Sequence, residues 1–114
     1  MENIIYNELR LRGCGVDVGL IESREMGIDR RVAKKQYEID FVAVKGSEKY
    51  YIQSAFAMPT PEKQAQEERS LNAVGDSFKK IIVVRDNIKV RHSELGIVTM
   101  GVRSFLLDEN SLSV

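Results

Sequence analysis

Apolar and polar positions divide the 114 residues into short periodic blocks separated by turn formers. In "ENIIYNELRLR" (2–12), Ile5 and Leu9 lie one helical turn apart and Gly13 follows, the pattern of an amphipathic helix and its stop. "VDVGLIES" alternates at Val16, Val18 and Leu20 and predicts a strand. "REMGIDRRVAKK" (24–35) holds five basic and two acidic residues and predicts a loop or hairpin tip. Two strands follow in "EIDFVAVKGSEKYYIQSAF" (38–56), joined at "KGSE". Thr60 as cap, Pro61 at the first helical position and Gly75 as stop frame a second helix, with a thin stripe of Ala65, Leu71 and Val74. Four successive β-branched residues, Ile81 to Val84, predict a strand buried on both faces. "GIVTM" (96–100) predicts a short strand, and "VRSFLLDE" a closing helix packed through Phe105 and Leu106. The order is helix, three strands, helix, strand, strand, helix: an α/β sandwich with a mixed sheet.

The hairpin turn sets a register. Glycine at the first central position marks a two-residue type II′ loop, which makes Gly46 and Ser47 the turn and pairs Lys45 with Glu48. Counting outward, Val42 opposes Tyr51, Asp40 opposes Gln53 and Glu38 opposes Ala55, so these six share one face. Ile39, Phe41, Ala43, Tyr50, Ile52 and Ser54 then take the other. Asp40 and Gln53 become cross-strand neighbours able to share a ligand. A solvated strand face also accommodates Glu38 and Asp40 with no chemistry at all.

Composition narrows the choices. Apolar residues make up 43% and charged residues 30%, as in a soluble globular protein, and 114 residues suffice for one core. Seventeen basic and seventeen acidic side chains cancel, so any electrostatic binding surface must be a local patch. The candidate is Arg24, Arg30, Arg31, Lys34 and Lys35, with Lys79 and Lys80 elsewhere; the plainer and favoured reading of it is a solvated loop. The lone Cys14 forms no internal disulfide and fits a reduced thiol packed near the first helix, in keeping with a cytoplasmic protein. His92 sits in a polar loop, "KVRHSEL". The sequence has no GxxxxGK[ST] loop, which speaks against ATP hydrolysis by this chain, and no GxSxG. No apolar run approaches the length of a membrane span.

"ENIIYNELRLRG", "EIDFVAV", "YYIQSAF", "FKKIIVVRD" and "GIVTMGVRSFLLD", in this order, resemble the C-terminal domain of unknown function that follows the AAA-type ATPase module in many bacterial and archaeal proteins. Such domains are similar to the restriction-endonuclease-like fold of the PD-(D/E)XK nucleases. The resemblance implies an α-β-β-β-α-β core with a mixed central sheet flanked by helices. It also implies that 1–114 is a single domain excised from the C-terminus of a larger ATPase, with that ATPase module as its partner. Residue by residue, the acid of the nuclease pattern falls on Asp40, the glutamate on Gln53 and the lysine on Ala55. An additional helix-one acid falls on Glu2 or Glu8. In such nucleases carboxylates hold Mg²⁺, which activates water and polarises the phosphate.

Glutamine lacks the negative charge and alanine supplies no donor, so the expectation is a degenerate nuclease that binds protein or nucleic acid and needs no cofactor. The alternative is a weak Mg²⁺- or Mn²⁺-dependent nuclease using Asp40, with Glu38 or a helix-one acid and Gln53 as a metal ligand.

Overall fold

The computed structural model describes residues 1–26, 32–55 and 60–113. Helix α1 (Glu2–Leu11) leads into strands β1 (Gly15–Met26), β2 (Val32–Lys45) and β3 (Glu48–Ala55). Helix α2 (Pro61–Asn72) precedes β4 (Lys79–Val84), a two-residue β5 (Arg91–His92), β6 (Val98–Gly101) and the short α3 (Val102–Leu107). A 3-10 turn at Ser111–Ser113 follows. Among the described residues the sheet has six strands in the order β1-β2-β3-β4-β6-β5. β3, β4 and β6 run parallel to their neighbours in that series, while β1/β2, β2/β3 and β5/β6 are antiparallel. The protein is therefore mixed α/β, with helices on both faces of the sheet.

The apolar periodicity accounts for these layers. Ile5 and Leu9 of α1 and Phe105 of α3 pack with Phe41, Ala43, Ile52, Ile81 and Val83 on one face. Leu71 and Val74, in and just beyond α2, pack with Ile39, Tyr51, Ala55, Ile82 and Val84 on the other. β4 thus feeds alternate residues into both layers, as its β-branched run requires. The end of α1 also follows its sequence: Gly13 takes φ 85°, and the N–H groups of Gly13 and Cys14 donate to the carbonyls of Arg10 and Leu9. Cys14 is buried there.

Segment 24–35 takes the second of its two expected forms, the outer end of a strand pair: β1 pairs with β2 out to Met26↔Val32, and 27–31 lies outside the described residues. Three readings do change. Leu106 is 36% exposed, and α3 is anchored in the core by Phe105 with the partly buried Val102. His92 belongs to β5, where it is exposed, and Gly75 lies three residues beyond the end of α2.

Candidate functional site at the bulge of β2

The β2/β3 hairpin starts as its turn dictates. Gly46 has φ 61°, Lys45 pairs with Glu48, and the ladder continues through Val42↔Tyr51 to Phe41↔Ile52. There the simple count ends. On the β1 side, the pairing passes from Asp17↔Val42 to Gly19↔Ile39, so β2 spends one more residue than β1. Asp40 and Phe41 together oppose Val18, a β-bulge. Two successive side chains then point to the α1 face: Phe41 enters the core under α1, and Asp40 lines a cavity of about 280 Å³ with Glu2, Tyr6, Val18 and Glu38. Ile39 and Val42, on either side, both face α2. Gly19 sits opposite them because a Cβ there would lie 2.7 Å from Val42 Cγ2 and 3.1 Å from Ile39 Cβ.

The bulge separates the residues that unbroken alternation pairs. Asp40 moves to the α1 face, whereas Gln53 pairs with Ile82 and lies between Tyr51 and Ala55, both packed toward α2. The expectation that Glu38, Asp40, Val42, Tyr51, Gln53 and Ala55 share a face is therefore corrected. The residue of β3 level with Asp40 is Ser54, whose N–H and hydroxyl both approach Asp40 Oδ2, at 2.8 and 3.0 Å. The same hydroxyl lies 3.3 Å from Glu2 Oε1, so Glu2 joins this corner. Glu8 does not: it pairs with Arg12 at 3.0 Å.

Gln53 takes up a structural task instead. Its Oε1 accepts the Asp40 N–H at 2.7 Å, and its Nε2 donates to the Glu38 carbonyl at 3.0 Å. With 4% of its surface exposed, the carboxamide fills the gap where β2 bends away from β3, standing in for a peptide group of the ladder. One donor and one acceptor are both needed, and both are used. This leaves Gln53 poorly suited to a metal: its oxygen already serves an amide, and the nearest Asp40 group to it is that amide rather than the carboxylate. One of the two Asp40 oxygens is likewise held by Ser54. Among the described residues no three His, Cys, Asp or Glu side chains converge as a metal set. The donor set thus does not fit a shared Mg²⁺ or Mn²⁺ between Asp40 and Gln53. Ala55, at the position matched to the nuclease lysine, is buried in the α2 layer.

Of the five clustered basic candidates, Lys34 and Lys35 are the ones whose side chains the structure describes. Lys34 and Lys35 are exposed near the outer end of the β1/β2 hairpin, with Lys35 Nζ 5.9 Å from the Tyr37 ring centre. The Arg24 backbone pairs with Lys34; its side chain, and all of Arg30 and Arg31, lie outside what the structure describes. Lys79 pairs with Tyr50 near the other end of β2, which at 3.3 Å per residue is roughly 30 Å away. Lys80 turns back on its own loop, donating to the carbonyls of Asp76 and Phe78 at 2.7 and 3.0 Å.

A polar cluster on the α2 face has no forerunner in the sequence reading. The Tyr51 hydroxyl donates to Asp76 Oδ2, and the ammonium groups of Lys49 and Lys80 lie 5.2 and 5.8 Å from the Tyr51 ring centre. Burial first, then the bond to Asp76, raises the Tyr51 phenol above its ordinary 10.0. Its hydrogen bond to Tyr51 raises Lys49 above 10.5. Burial pushes the Asp76 carboxyl up, but the Tyr51 hydroxyl, the Phe78 N–H and the two lysines outweigh it and hold it below 3.8. The cluster ties the α2–β4 loop to the sheet. Lys49 and Tyr51 lie on β3, whereas Asp76 comes 25 positions after Tyr51 in the loop that leads to Lys80 of β4, and only the fold brings the two groups together.

No family model matches the chain. It is 36% identical, over 83 residues, to an uncharacterized protein of Haemophilus influenzae. Those residues make up 73% of this chain but span only 17% of that protein's length. No helix among the described residues is long and apolar enough to cross a membrane.

Proposed function

We propose that this chain is a non-catalytic, restriction-endonuclease-like domain that serves as a cytoplasmic interaction module of a larger AAA-type ATPase. The observation that carries the reading is the fate of Gln53. At the position matched to a nuclease's metal-binding glutamate, both polar atoms bridge the backbone of β2. The matched lysine position, Ala55, is closed by core packing. The element order and mixed sheet agree with such an architecture, and the short span of the relative's length agrees with a part of a longer protein. Protein contact is the favoured role, because the described basic candidates stand as two separate pairs, Lys34 with Lys35 and Lys79 with Lys80, toward opposite ends of β2. Binding through phosphates would weaken steeply with salt.

A second reading, weak Mg²⁺- or Mn²⁺-dependent cleavage, draws on Glu2, Glu38 and Asp40 lining one cavity. Incubation with supercoiled plasmid in Mg²⁺ or Mn²⁺, beside an Asp40→Asn control, separates the two. The proposal expects nicking no faster than the control. Metal-dependent nicking that Asp40→Asn abolishes would establish the nuclease. Retention of labelled oligonucleotide at low salt would shift the partner from protein to nucleic acid.

A further inference from the structure

We propose that β1 pairs with β1 of a second copy, antiparallel about a two-fold axis through Gly19, to form a continuous sheet. The two edges of the sheet are treated differently. One is closed by β5, only two residues long, which offers little to pair with. The other is β1, twelve residues long and paired with β2 on both sides of the bulge at Val18, so that along each paired run every second residue turns its N–H and C=O outward. The stretch 15–22 carries no proline or lysine, the usual means of blocking such an edge. Val18 and Leu20 stand on its α1 side, 62% and 71% exposed, with the half-exposed Tyr6 beside Val18 at the same cavity.

The occupant follows from self-complementarity. With the axis at Gly19, Val18 of each copy opposes Leu20 of the other, giving four contiguous aliphatic side chains on the α1 face. On the opposite face the two glycines meet, where no side chain can clash. Asp17 then opposes Ile21 and Glu22 opposes Val16, so no like charges face each other. Moving the axis to Leu20 sets Val18 against Glu22 twice and loses this match. Because the far edges are the short β5 strands, pairing closes at two copies rather than growing into a fibre.

Sedimentation equilibrium of the chain over a concentration series tests the proposal. The expected mass at high concentration is twice 12.9 kDa. Leu20→Lys, at an exposed position that leaves the core untouched, raises the dissociation constant about tenfold or more. A second measurement fixes the register: mixing Val18→Cys with Leu20→Cys under mild oxidation gives a cross-linked dimer that neither variant gives alone. A monomer at every concentration overturns the proposal. So does a dimer indifferent to Leu20→Lys, or one in which the mixture fails to cross-link.

Discussion

A carboxamide has an NH2 donor group where a carboxylate has a second charged oxygen, and at position 53 that donor group decides the chemistry. Nε2 satisfies the Glu38 carbonyl and Oε1 the Asp40 N–H, both partly removed from water. Gln53→Ala strands both groups, and each unsatisfied partner costs about 1–3 kcal/mol, so urea unfolding should show a loss of about 2–6 kcal/mol. Tyr51 gives a second residue-level expectation. Its phenol is raised in the folded protein, so the stability it contributes is full below 10.0 and is lost as pH rises through the folded value. Asp76 runs the other way: its contribution is present above 3.8 and fades as pH falls through the lowered folded value. Unfolding of wild type and Asp76→Asn from about pH 6 to about pH 3 should converge at the acid end. A gap that stays constant would remove the carboxylate from the account.

At the scale of elements, what could be read ahead of the structure is what depends on neighbours in sequence. Gly13 ends α1, Gly46 turns the hairpin and Ile81 to Val84 form the buried strand, each for a local reason. The bulge is different. It inserts one residue into a strand whose apolar count gives no break, so alternation carried past Phe41 sends Asp40 to the wrong face and leaves Ser54 unnoticed. The one available sign was Gly19 inside a strand, which marks a bulge or a close backbone approach. Gly19→Ala places a methyl against Val42 and Ile39 and should destabilise by about 1–3 kcal/mol, as overpacking does. A denaturation midpoint equal to wild type would show that β2 has room to shift.

For the whole molecule, the sheet order and the two helical layers hold Asp40, Ser54 and Glu2 in one corner while keeping Gln53 and Ala55 out of it. The proposed nuclease-like scaffold is thus not one substitution from activity. Gln53→Glu with Ala55→Lys restores the letters of the motif but aims them at the α2 layer, where a lysine would be buried without a partner. That double variant should unfold more readily than wild type and gain no metal-dependent nicking of plasmid. Nicking in Mn²⁺ by a folded double variant would mean that the strand faces rearrange to rebuild the site.

The most direct test of the bridging role is Gln53→Glu alone, its unfolding free energy measured against pH with and without Mn²⁺. At neutral pH the introduced carboxylate faces the Glu38 carbonyl with no donor, and the account predicts a loss of about 2–4 kcal/mol that Mn²⁺ does not recover. Burial beside that carbonyl raises the folded pKa of the new carboxyl. Protonation restores a donor, so the loss should shrink as pH falls through that raised value toward about 4.3. Wild-type stability at neutral pH, or recovery on adding Mn²⁺, would contradict it and return position 53 to metal chemistry.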